Sequence, residues 1–266
     1  MKKTGLLMAV LAAFMFSACS TVAVTGRKQL NLVSDSEVLA ASLTEYNEYM
    51  KTAKKSTDKT KTAMVERVGK NIAAAAEQYL KDNGMESDLK NYSWEFSLVK
   101  SDEVNAFCMP GGKIVVYEGL LPLIANEDEL AVVISHEVAH AVAKHSNERM
   151  SQQALIQYGQ AAATEILGHN QSDTRKAILA AAIGMGTNVG ITLPFSRKHE
   201  YEADHLGLIF MAMAGYDPNE AVAFWTRMAN ASAGKQPEFL STHPADEKRI
   251  AKLKAAIPEA LKYKKN

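Results

Sequence analysis

The chain has 266 residues, and its 30 Lys and Arg are balanced by 30 Asp and Glu, giving zero formal net charge. Nucleic-acid binding generally needs a basic face, which this balance lacks, so nucleic acid is excluded as a partner. Beyond a short N-terminal lead, about 230 residues remain, enough for one sizeable core, and no repeat, interdomain linker or low-complexity tract divides them.

Lys2 and Lys3 precede an apolar run from Leu6 to Phe16, followed by Ser17, Ala18 and Cys19. A charged start, a short apolar stretch and small residues before a cysteine mark a secretory signal. The run is too short to span a bilayer. Phe16-Ser17-Ala18-Cys19 resembles a bacterial lipobox, which implies that Cys19 carries lipid and becomes the mature N-terminus. The expected division is a lipoprotein signal peptide over 1–18, a tether over 19–34 and one folded domain over 35–266. Residue 20 is Ser rather than Asp. By the sorting rule of enteric bacteria this implies the outer membrane, with the domain lipid-anchored at the periplasmic face of the envelope. With Cys19 lipidated, Cys108 has no partner for an intramolecular disulfide and reads as a small buried hydrophobe.

The folded part opens with helical patterns over Asp35 to Lys54 and Asp58 to Lys81, the second ending at Asn83-Gly84. Tyr92 to Leu98 alternates strictly, which predicts a half-buried strand. Val104 to Phe107 and Lys113 to Tyr117 flank the turn Pro110-Gly111-Gly112 and predict a hairpin. Asn126 is a candidate N-cap, with Glu129 three residues on as its capping-box partner. Leu130, Val133, Ile134, Val138, Ala141 and Val142 then recur at helical period, and no Pro or Gly interrupts Glu127 to Tyr158. One long helix is expected there.

That helix carries His136-Glu137-Val138-Ala139-His140. Histidines four apart share one helix face, so both imidazoles can reach the same ion. A carboxylate directly after the first histidine completes the minimum set for zinc-assisted amide hydrolysis. A hydrolytic zinc site takes three protein ligands and keeps one position open. His145 follows His140 without the glycine turn that would bring a third histidine round, and reads as a polar residue further along the same helix.

The better candidates lie on a second helix, from Ser196 past Met213, where Glu200 and Asp204 share a face and Glu202 points away from it. One acid would ligate and the other would accept a hydrogen bond from the distal nitrogen of a ligating histidine. Between the two helices, Gly168 to Arg175 reads as a loop. Lys176 to Ile191, with Gly184, Gly186 and Gly190, reads as either a mobile lid or close helix packing. Helices are expected over Pro218 to Ala231 and Pro244 to Ala256, with His243 just ahead of the last. Arg249 would orient that histidine or pair with an acid.

The two motifs, His136-Glu137-Val138-Ala139-His140 and Glu200-Tyr201-Glu202-Ala203-Asp204, together resemble those of the membrane-associated gluzincin zinc metallopeptidases. This is the family of the CAAX prenyl protease, HtpX and the periplasmic lipoprotein metallopeptidases. Val24 to Leu30, Asn105-Ala106-Phe107 with Pro110-Gly111-Gly112, and Ser241-Thr242-His243-Pro244 extend the resemblance over most of the mature chain. It implies an α+β, mostly helical zincin-like domain with a small antiparallel or mixed sheet flanking the motif helix. It further implies one zinc ion per chain on His136, His140 and Glu200, with Glu137 as the base and Asp204 behind the ligands. His243 would face the zinc, in an oxyanion or switch role. An edge strand beside the cleft would take the substrate as an added strand. The implied activity is zinc-dependent endopeptidase action on misfolded or misassembled envelope proteins. The alternative is a proteolytically weak or self-inhibited, chaperone-like assembly factor.

Overall fold

The computed structural model describes residues 19–22, 25–164, 196–231 and 237–264. A hairpin of β1 (Cys19–Thr21) and β2 (Lys28–Leu30) comes first. α1 (Asp35–Thr52) begins at Ser34, which caps the Glu37 amide while Glu37 bonds back to the Ser34 amide. α2 (Lys59–Asp82) begins at Asp58, whose side chain accepts from the Lys61 amide. Within the stretch read as a tether, Val22 is buried in the main core, and Arg27 pairs with Glu148 and Glu202 far along the chain.

β3 (Glu95–Val99), β4 (Ala106–Met109) and β5 (Lys113–Tyr117) form a sheet in the order β3-β5-β4. β4 and β5 are the expected hairpin, antiparallel with Cys108 opposite Ile114. Gly111 and Gly112 turn the chain at φ 89° and 84°, where a side chain would be strained. β3 is parallel to β5, so the sheet is mixed. The alternation in Tyr92 to Leu98 predicts a wet face, yet Phe96 to Val99 are all buried. Both faces are covered. Phe96 and Leu98 join the main core with Val68 and Ile72 of α2, while Ser97 and Val99 meet α1. There the Tyr46 hydroxyl lies 3.1 Å from Ser97 Oγ.

The motif helix is α3 (Glu127–Val142), and β4, one of the sheet's two edge strands, adjoins it. Asn126 Oδ1 accepts from the Glu129 amide at 2.9 Å. Glu129 does not return the bond to Asn126; it reaches the Ala125 amide at 2.6 Å and pairs with Arg227. Every residue from Glu129 to His140 is buried, so this helix runs through the core rather than along it. Each fully buried Leu, Val or Ile contributes about 1.5–3 kcal/mol, so the helix position is strongly determined.

The expected single helix to Tyr158 is two. α3 stops at Val142 and α4 (His145–Thr164) follows. Lys144 sits between them at φ 56°, a conformation costing a non-glycine residue about 1–2 kcal/mol. Its ammonium is held 2.8 Å from Asp35 and 3.2 Å from Asp88, contacts that only the folded chain supplies.

α5 (Arg197–Met213) is capped by Ser196 and packs closely on α3. A Cβ on Gly207 would stand 3.1 Å from Ser135 Oγ and 3.2 Å from the His136 amide nitrogen. A larger residue there would push the two motif helices apart. α6 (Glu220–Ala231), the short α7 (Glu238–Thr242) and α8 (Glu247–Ala260) close over this pair. α8 is capped by Asp246, so it begins later than the expected Pro244, and it runs past the expected end at Ala256. Among the described residues no helix is long and apolar enough to cross a membrane. Gly168 to Ile191, with the two readings given it, lies outside the described residues.

Candidate metal centre

α3, α5 and the turn ahead of α8 bring four buried side chains to one point: His136, His140, Glu200 and His243, whose ligand atoms all lie within 4.8 Å of one another. His136 Nε2 is 3.0 Å from His140 Nε2 and 3.4 Å from Glu200 Oε2. His140 Nε2 is 3.3 Å from Glu200 Oε1. Zinc–nitrogen bonds of about 2.0–2.1 Å place tetrahedral donors about 3.3 Å apart, so this spacing fits zinc. His243 comes from the turn between α7 and α8. Its Nδ1 stands 3.1 Å from both His136 Nε2 and Glu200 Oε2.

The distal nitrogens set the tautomers. His136 Nδ1 lies 3.0 Å from Asp204 Oδ1, so it donates there and its Nε2 lone pair faces the cluster. Asp204 is in turn gripped by Arg249, from Nε at 2.7 Å and Nη2 at 2.8 Å. Arg249 also reaches Glu200 Oε2 at 3.1 Å and stacks over Trp225 with Cζ 3.5 Å from the ring centre. Of the two roles left open for Arg249, pairing with acids is the one it performs.

Electrostatics follow from burial. Desolvation opposes the charge on Glu200, yet His243, Arg249 and His136 hold its carboxyl well below the usual range. His136 is pushed up to about 9, burial opposing and Glu200 and Asp204 prevailing. Burial and the neighbouring His136 push His140 well down. Burial raises Glu137, and only partly do His243 and His136 bring it back. Glu137 Oε1 is buried without a hydrogen-bond partner among the described residues; His243 Nε2 is 3.4 Å off. A cleft lined by Tyr92, Cys108, Gly111, His140, Lys144 and Asn147 opens beside β4.

The model of Peptidase family M48 matches residues 59–257, well over half of the chain. The chain belongs to this family. It is an M48 zinc metalloendopeptidase of the gluzincin type, with His136, His140 and Glu200 placed to hold one metal ion. Among its relatives is "Mitochondrial metalloendopeptidase OMA1" of Schizosaccharomyces pombe, 37% identical over 268 residues, which cover 96% of this chain and 72% of that protein. Human "Metalloendopeptidase OMA1, mitochondrial" is 29% identical over 265 residues, 98% of this chain and 49% of that one. "Beta-barrel assembly-enhancing protease" of Escherichia coli is 30% identical over 163 residues, 59% of this chain and 33% of that one. This M48 chain therefore spans half or less of the last two relatives.

Sequence reasoning missed what stands behind His140. His145 does not continue the motif helix but opens the next one, and it is fully buried. The break at Lys144 turns it back, so that its Nδ1 lies 2.8 Å from His140 Nδ1 and its Nε2 lies 3.0 Å from Glu202 Oε2. Glu202 does point away from the ligand face, as expected, and meets His145 there. His199 Nε2 pairs with Glu148 Oε2 at 3.0 Å, and the His145 and His199 rings stack at 4.4 Å. A signal existed: His145-Ser-Asn-Glu148 and His199-Glu-Tyr-Glu202 are two His-x-x-Glu turns on the helices that carry or follow the motifs. Each histidine pairs with the other turn's glutamate.

Proposed function

We propose that this M48 peptidase is lipid-anchored through Cys19 at the periplasmic face of the cell envelope, at the outer membrane, and that it cleaves misfolded or misassembled envelope proteins. The signal-like run before Cys19 supports the location, and the name of the Escherichia coli relative supports a link to β-barrel assembly. In this reading residues 1–18 are removed, and the segment after Cys19 packs on the domain through Val22 and Arg27 rather than serving as a free tether.

His136, His140 and Glu200 would hold the zinc, which supplies Lewis acidity for polarising the scissile carbonyl and acidifying water. Asp204 fixes the His136 tautomer. Glu137 takes the proton from the attacking water and passes it to the leaving nitrogen. The unpartnered, buried Glu137 Oε1 is the observation that carries this role, because a buried carboxylate oxygen without a partner awaits one. β4 is the edge strand beside the cleft, and an extended substrate pairs with it through main-chain bonds, which tolerate many sequences.

One observation favours a second reading, a self-inhibited and weakly proteolytic factor. His243 stands inside the donor cluster, 3.1 Å from His136 Nε2 and Glu200 Oε2, where a fourth donor would compete with substrate. Cleavage of casein by purified protein tests both. Glu137→Gln keeps zinc and lowers cleavage by about 10²–10⁴-fold; normal cleavage by this variant would end the proposal. Faster cleavage by His243→Ala assigns a restraining role, and slower cleavage an oxyanion role.

A further inference from the structure

Behind His140 runs a chain of buried polar contacts that ends in the N-terminal segment. His145 Nε2 donates to Glu202 Oε2 at 3.0 Å, which leaves His145 Nδ1 as an acceptor. His140 Nδ1, 2.8 Å away, must then be the donor, so the His140 Nε2 lone pair faces Glu200 and His136. The tautomer of His140 is thus set by Glu202 standing in place as the acceptor behind His145. Glu202 is placed by the N-terminal segment. Arg27 Nε donates to its Oε2 at 2.6 Å, and the Thr25 hydroxyl bonds Oε1. Arg27 Nη1 also donates to Glu148 Oε1 at 3.1 Å, on the first turn of α4. One guanidinium therefore ties the helix that carries His145 to the helix that carries Glu200 and Glu202.

We infer that Arg27 is a positioning residue for the metal site: through Glu202 and His145 it fixes the tautomer and ring orientation of His140. The inference rests on the reading of His140 as a ligand. A purely structural strap would need no such chemistry. Val22 already anchors this segment in the core, and Val22 and Arg27 close its loop with an amide-to-carbonyl bond of 2.7 Å. What Arg27 adds is the positive charge between two carboxylates that are both nearly buried. A partner behind a metal-binding histidine typically changes metal affinity by about 10–100-fold when removed.

The test uses the full chain, with zinc affinity measured by competition against a chromophoric chelator and the visible spectrum recorded for the cobalt-substituted protein. Arg27→Ala is expected to weaken zinc at least about 10-fold and to shift the cobalt bands, with its helical circular dichroism unchanged. Arg67→Ala, which breaks only the exposed pair with Glu127, is expected to leave both unchanged. Wild-type affinity and spectrum in folded Arg27→Ala overturn the inference. Where Arg27→Ala does not fold, Arg27→Lys decides. It keeps the charge but cannot fork between Glu148 and Glu202, so weakened zinc binding is expected and wild-type values contradict the role. His140→Ala separates the two levels: zinc retained at wild-type affinity in this variant overturns the site itself rather than the part played by Arg27.

Discussion

The two histidines of the motif are held from behind by different kinds of structure. His136 Nδ1 meets a carboxylate directly, Asp204 at 3.0 Å, and Arg249 backs that carboxylate from deep in the core with 1% of its surface exposed. His140 Nδ1 meets a second imidazole, and its carboxylate, Glu202, lies one residue further out. The cation there is Arg27, with its side chain 23% exposed and carried by the segment ahead of the first helix. The His136 side is built wholly from helices that make the core, so it forms whenever the domain forms. The His140 side depends on an N-terminal segment as well, and so can be loosened without unfolding the domain.

The largest effect should come from the closed side. Arg249→Ala leaves Asp204 and Glu200 buried without their cation, a situation that costs about 3–5 kcal/mol. Urea unfolding of the zinc-free protein measures it. A loss within about 0.5 kcal/mol, typical of a surface change, would break the claim that this side belongs to the core. The open side should respond to acid instead. Burial opposes the charge on Glu148, but Arg27 and His199 hold its carboxyl below the ordinary 4.5. A lowered carboxylate contributes stability that is present above its unfolded value and lost as pH falls through its folded one. The thermal midpoint of the zinc-free protein should therefore drop more steeply below about pH 4.5 in the wild type than in Glu148→Gln. Equal slopes would show that Arg27 and His199 do not hold Glu148.

Much of the closed side could be read from spacing alone. His136 and His140 share a face because helical period requires it, and Glu200 with Asp204 follow the same rule on the second helix. The caps at Ser196 and Asn126 were legible for a similar reason, since they satisfy amides within three residues. The open side was not legible because its causes are distant in sequence. Lys144 stands at the break with its ammonium on Asp35 and Asp88, partners more than fifty residues earlier in the chain. Neither Gly nor Pro announces the break, so His145 reads as one more residue of a continuing helix. Burial of β3 on both faces was hidden likewise, since α1 covers the face that the alternation marks as wet.

The central claim is that His136, His140 and Glu200 together hold one zinc ion, with Glu202 outside the ligand set. Metal analysis of purified Glu200→Ala and Glu202→Ala after dialysis tests this most directly. The expected outcome is one zinc per chain in the wild type, none in Glu200→Ala, and zinc still bound, at weakened affinity, in Glu202→Ala. Full zinc retention in Glu200→Ala would contradict the account.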